Sequence, residues 1–112
     1  MSEAQFDEII HAPLRLRICG LLRHVDHLDF AVLRDTLGVA DASLSKHLKT
    51  LAATGYVASS KAAVVGRSDA RRVTWLSLTG AGVAAFDAHV RALREIAGSP
   101  ADLPEHVASS RV

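Results

Sequence analysis

A single cysteine in 112 residues leaves no partner for an internal disulfide and no thiolate cluster for a structural zinc site. Long apolar runs are missing too. None approaches the roughly 20 residues that cross a bilayer, and the opening stretch M-S-E-A-Q-F-D-E is acidic where a secretory signal is basic. A soluble, cytoplasmic protein with no membrane partner is the expectation. The chain also lacks a nucleophile and base pairing, a phosphate-cradling loop and a paired-acid site, so catalysis is not expected. Apolar residues nevertheless make up 49% and charged residues only 22%, enough to fill one small core and too apolar for disorder throughout.

A net charge of +1 is uninformative until it is divided along the chain. Residues 1–40 hold four Arg against six acids, which is −2; residues 41–78 hold six Lys or Arg against two Asp, which is +4; residues 79–112 hold three Arg against four acids, which is −1. Nucleic-acid surfaces are local patches, and the positive charge here is concentrated in the middle third.

That third contains the most informative stretch, S-L-S-K-H-L-K-T-L-A-A-T-G-Y-V from Ser43 to Val57. At helical spacing Leu44, Leu48 and Leu51 share one side, whereas Ser43, Ser45, Lys46, Lys49 and Thr50 fall largely on the other. One side can bury and the other can touch a ligand. Asp41 suits the cap or first turn, and Gly55 suits the left-handed residue after the end, which bounds a helix over 41–54. An ordinary amphipathic helix with solvated Lys and Ser has the same pattern, so the flanking segments decide between the two.

Upstream, Phe6, Ile9 and Ile10 stand at helical spacing within Glu3 to Ile10 before His11-Ala12-Pro13 interrupts. Pro13 suits a fresh start for a helix with the apolar stripe Leu14, Ile18, Leu21, Leu22 and Val25. Leu28-Asp29-Phe30 can form a minor strand, and a helix beginning at Asp29 or Phe30 carries Leu33 and Leu37 to a stop at Gly38. Two helices separated by a tight glycine-containing turn are what a helix-turn-helix requires. Downstream, Tyr56 to Val65 and Arg72 to Leu78 have strand composition and are joined by the turn-forming, cationic run Gly66 to Arg71, which predicts a hairpin. Thr79 can cap a helix from Gly80 to about Ala97, along which Val83, Phe86, Val90, Leu93 and Ala97 repeat at spacings of three and four. A small core is not expected to use that stripe together with the alanines between, so it marks a self-association face to which Phe6 and Ile10 could add. Past Gly98-Ser99-Pro100 the pattern dissolves, and residues 98–112 read as a flexible tail.

The ordered series H-A-P-L-R-L-R-I at His11 to Ile18, L-D-F-A-V-L at Leu28 to Leu33, L-S-K-H-L-K-T-L-A-A-T-G-Y-V at Leu44 to Val57, V-G-R at Val65 to Arg67 and W-L-S-L-T at Trp75 to Thr79 resembles winged-helix transcriptional regulators of the MarR/ArsR type. W-L-S-L-T resembles the L-T-x-x-G joint that opens the closing helix, with Gly82 or a neighbour as its glycine. The resemblance covers roughly residues 6–97. It implies an α+β, mainly α fold: a winged helix-turn-helix with a wing sheet of two to three strands and a C-terminal dimerisation helix over 80–97, the domain spanning 1–97. It further implies a homodimer that sets two helices 41–54 into successive major grooves of double-stranded DNA and each wing, 63–72, against the backbone or a minor groove. By position Ser43, Ser45, Lys46, Lys49 and Thr50 become helix contacts and Arg67, Arg71 and Arg72 wing contacts; Phe6, Ile10, Val83, Phe86, Val90 and Leu93 become interface residues. The competing class is a winged helix used for protein interaction without DNA specificity.

The remaining candidates have plainer roles. Asp87 and His89 resemble half of the Asp-x-His metal pair of some ArsR-type sensors, but Ala97, Pro100 and Leu103 stand where further ligands are needed, and two ligands do not complete a tetrahedral shell; no metal or other cofactor is expected. His47 is expected to make a local or DNA-backbone contact, Cys19 to be an inert buried thiol, and Trp75 to cover the sheet rather than to stack on a ligand. Neither operator nor effector can be named from these residues.

Overall fold

The computed structural model describes residues 3–63 and 72–108. The described residues open on a non-helical segment from Glu3 to Asp7. A one-turn helix α1 (Glu8–His11) follows, then α2 (Pro13–Leu22), a short strand β1 (Leu28–Asp29), α3 (Phe30–Leu37), α4 (Asp41–Thr54), strands β2 (Val57–Ala63) and β3 (Arg72–Leu78), and the long helix α5 (Gly80–Ala97). The three strands form one antiparallel sheet in the order β1-β3-β2, with Leu28 opposite Leu76, Val57 opposite Leu78 and Ser60 opposite Trp75. This is the expected winged helix-turn-helix with a three-stranded wing sheet.

The helix bounds follow from local chemistry. Pro13 opens α2, where its missing N–H is no loss. The Asp29 carboxylate accepts from Ala31 N–H and starts α3. The Thr79 hydroxyl accepts from Gly82 N–H at 3.0 Å and starts α5. Ile10, Ile18, Leu22, Leu33, Leu44, Leu51 and Leu76 are almost completely buried and fuse α1, α2, α3, α4 and the sheet into one core. Val25, placed on the α2 stripe by its spacing, lies beyond the helix end and is exposed.

The N-terminal segment differs from its sequence pattern. The spacing of Phe6, Ile9 and Ile10 predicts helix from Glu3, yet the chain stays extended until Asp7. Gln5 N–H donates to Ala88 O at 3.0 Å and Asp7 N–H donates to His89 Nδ1 at 2.9 Å, so the backbone groups a helix would use internally are bonded to α5. Asp7 then caps α1 by accepting from Ile9 and Ile10 N–H. Tertiary partners thus override a weak local preference.

At the other end, residues 99–108 hold a 3-10 turn (Pro100–Asp102), closed by a reciprocal Ser99 and Asp102 capping box, and a one-turn helix α6 (Glu105–Ala108). Among the described residues no helix is long and apolar enough to cross a membrane.

Candidate nucleic-acid interface

The helix α4 is positioned by contacts at both ends. Ala40 occupies the cap position and offers no side-chain bond, while Asp41 in the first turn is gripped by Arg34 of α3 at 2.9 Å. Arg34 also holds Asp35 at 2.9 Å, and this pair of carboxylates raises its guanidinium above the ordinary value. The turn between α3 and α4 is thereby bridged by an ion pair that spacing alone did not reveal. At the far end Gly55 adopts φ 88, a left-handed conformation that suits glycine, and its N–H closes onto Ala52 O at 2.9 Å.

Leu44, Leu48 and Leu51 are buried beneath α4, so with about 3.6 residues per turn the opposite side is solvent-facing. Ser45, Lys46 and Lys49 are exposed, and Ser43 is half-buried. Thr50 is half-buried and donates its hydroxyl to Lys46 O at 3.3 Å, which ties it to its own helix. Ala42 and Ala53 are exposed on the same outer face, small residues that a pattern of polar side chains does not single out. Lys61 of β2 was also missed. It joins Ser45, Lys49, Thr74 and the apolar floor of Leu48 and Leu76 around a groove of about 600 Å³ between α4 and the sheet. The signal for Lys61 was the strand period, which puts it on the face shared with Val57 and Ser59.

His47 makes the local contact expected of it. Its Nδ1 lies 3.1 Å from Arg15 Nη1, and because a guanidinium only donates, Nδ1 accepts and the proton of the neutral ring sits on Nε2. Burial, with Arg15 and Lys46 adding their charge, pushes this imidazole below its ordinary range.

Of the wing residues, Arg72 opens β3 opposite Ala63. Arg67 and Arg71 lie outside the described residues.

On α5 the structure sorts the proposed self-association residues into two groups. Val83, Val90 and Leu93 remain half-exposed, and Ile96, not singled out beforehand, is 70% exposed, with Leu103 nearby in sequence also exposed. Phe86 instead packs on the chain's own core, against Gly20 of α2. Ile10 corrects the expectation outright: it is 0% exposed within the single chain and presents nothing to a second copy. Phe6 is partly exposed but lies on the rings of His11 and His89, at centroid distances of 4.6 and 4.8 Å.

The Asp87 and His89 pair is divided between two structural tasks. Asp87 takes both ends of Arg23, at 3.0 and 3.1 Å, which lowers its carboxyl. His89 is completely buried; its Nδ1 accepts from Asp7 N–H and its Nε2 lies 3.2 Å from His11 Nδ1, so with both rings neutral the proton between them belongs to His89. The Asp7 carboxylate accepts from Tyr56 OH at 2.6 Å, and that bond, with burial, raises the phenol to about 12. A polar relay thus runs from α5 through the N-terminal segment to Tyr56, two residues past the end of α4. Cys19 is buried, and burial pushes its thiol up to about 11. No group of three or more metal-ligating side chains occurs among the described residues.

A buried helix-turn-helix, a cationic second helix and a two-stranded wing closing into a long helix define a winged-helix domain. Residues 14–97 match the winged helix DNA-binding domain family, three quarters of the chain, and the protein belongs to that family. It is 29% identical over 83 residues to an uncharacterized protein of Methanocaldococcus jannaschii, the match covering 74% of this chain and 86% of the other. Its fold is that of a transcriptional regulator homologue from Pyrococcus horikoshii OT3, with a TM-score of 0.72 at 22% identity over 81% of this chain and 86% of that one. It is also that of ZitR of Lactococcus lactis, a zinc-responsive MarR family member, with a TM-score of 0.54 at 17% identity over 96% of this chain and 70% of the other.

Proposed function

We propose that the protein is a sequence-specific DNA-binding transcriptional regulator acting as a homodimer. The observation that carries this reading is the outer face of α4, where Ser45, Lys46 and Lys49 stand free in solvent around two alanines while Leu44, Leu48 and Leu51 anchor the helix from behind. Such a helix fits a major groove, with its N-terminal residues meeting base edges and its lysines meeting phosphates or guanine. The cationic run after β2 is placed by sequence to reach the flanking backbone. The half-exposed Val83, Val90 and Leu93, extended by Ile96, supply an apolar stripe for a second copy.

Electrophoretic shift against fragments of the source genome, repeated across a salt series, tests both parts of the reading. Retarded bands for a subset of fragments, weakening steeply with salt, are the supporting result. No shift of any fragment at about 50 mM salt, where electrostatic binding is strong, would replace DNA recognition by protein interaction.

A further inference from the structure

The alternation of β2 and β3 divides their side chains between two faces. Val57, Ser59, Lys61, Thr74 and Leu76 turn toward α4, whereas Ala58, Ser60, Trp75 and Ser77 turn outward. The outward face contains a cavity of about 550 Å³, within the range of small-molecule sites, bounded by Trp75, His27, Asp26, Ser60, Ser77 and Ala58. The cavity shares with the α4 groove only the edge-strand residue Ser59.

We propose that this cavity is a binding site for a small alkylated ammonium cation, walled by Trp75 and His27 and charged by Asp26, which gives Trp75 a ligand-facing role in place of the sheet-covering one expected from its strand position. The two rings meet at 80° with centroids 4.7 Å apart, which makes two adjoining aromatic walls. An indole face is electron-rich and attracts cations more strongly than any other side-chain ring. Asp26 is exposed and, among the described residues, has no hydrogen-bond or ion-pair partner. No Lys or Arg lines the cavity, so its one fixed charge is negative. An anion meets Asp26 as a like charge, and a neutral apolar ligand leaves that carboxylate unpaired. A strongly hydrated ammonium or metal ion gives up water that the rings do not replace. An alkylated ammonium is weakly hydrated and charged, and it satisfies the rings and the carboxylate together, while Ser60 and Ser77 can receive a hydroxyl on its side arm. The site uses no outer-face residue of α4, so it stands or falls independently of DNA recognition.

Trp75 is the only tryptophan, so its emission reports on this cavity alone. The full chain titrated with choline chloride at constant ionic strength is expected to show a saturable change in that emission, with a dissociation constant of about a few millimolar. The neutral isostere 3,3-dimethylbutan-1-ol is expected to bind about tenfold more weakly or not at all. Asp26→Asn, at an exposed position where folding is not at stake, is expected to weaken choline about threefold, and His27→Ala is expected to weaken it further while the far-UV circular dichroism is unchanged. A linear, unsaturating response to choline, an equal response to the neutral alcohol, or full affinity in Asp26→Asn would each overturn the assignment.

Discussion

Gly82→Ala is the sharpest test of how α5 is locked to the end of α4. The backbone N–H of Thr79 donates to Tyr56 O at 3.0 Å, the Thr79 hydroxyl donates to Gly55 O at 2.6 Å, and Gly82 is packed flat against that same Tyr56 carbonyl. A Cβ at Gly82 would be driven into Tyr56 O, with Leu78 Cδ2 at 3.1 Å on the other side. The obstacle is backbone already committed to a hydrogen bond, so it has no rotamer to retreat to. Overpacking of this kind costs about 1–3 kcal/mol, and displacing the carbonyl loses roughly another 1 kcal/mol of hydrogen bonding. A total of about 2–4 kcal/mol corresponds to a fall in Tm of about 10 °C or more in a domain near this size. Gly20→Ala is the matched control. Its Cβ would meet Phe86 Cζ at 3.7 Å, an ordinary contact, inside α2, where alanine is favoured over glycine by up to about 1 kcal/mol. Thermal melts followed by far-UV circular dichroism should place Gly20→Ala at or above the parent and Gly82→Ala far below it. If Gly82→Ala melts within about 2 °C of the parent, the close approach does not hold the joint and the reasoning is refuted.

Removing the Asp7 carboxylate in Asp7→Ala takes away the α1 cap and the partner of Tyr56 OH, at a cost of about 2 kcal/mol by urea unfolding; a loss under about 0.5 kcal/mol would show that water replaces both bonds. Burial, with His11 second, keeps His89 below its ordinary 6.5, so the unfolded chain takes up this proton at higher pH than the folded one. Stability is therefore fully present above 6.5 and declines as pH falls from there toward the depressed folded value, with His47 adding the same sign. His89→Asn, which retains an acceptor for Asp7 N–H, should flatten the pH dependence of the urea midpoint without abolishing it, and an unchanged slope would assign the proton uptake to other groups. Leu93→Glu places a charge in the exposed stripe of α5 and should leave an 11.9 kDa species in sedimentation at micromolar concentration where the parent sediments as a dimer; a parent that is itself monomeric there removes the homodimer.

Most of the fold was legible because its punctuation is local. Pro13, Asp29, Gly38, Gly55 and Thr79 each act on the nearest turn of chain: Pro13 opens α2, Asp29 and Gly38 bound α3, Gly55 closes α4 and Thr79 opens α5. The L-T-x-x-G joint is legible as well, and the structure supplies its reason: only the Cα of Gly82 fits against Tyr56 O. What escaped was set by distant partners. The extended run to Asp7 is dictated by Ala88 and His89, more than 80 residues away, and nothing in E-A-Q-F-D announces that. For the same reason Ile10 looked like surface and is core, and Asp87 and His89, two residues apart, looked like one motif and serve Arg23 and Asp7 separately. The outer face of α4 lies between these cases. Its lysines are legible from period alone, whereas Lys61 and the Arg34 to Asp41 clamp enter only when strand and helix are brought together.

Lys46 bears most directly on whether α4 reads DNA, since it is exposed within the first two turns, opposite the buried leucines. Fluorescence anisotropy of Lys46→Ala and parent should be compared on a genomic site selected by the parent and on random duplex of equal length, at the same salt. A loss of about 1–3 kcal/mol is expected on the selected site and a much smaller loss on random DNA, because a base contact is forfeited only where the right base is present. Undiminished binding to both duplexes would contradict it, and would mean that this face of α4 does not enter the groove.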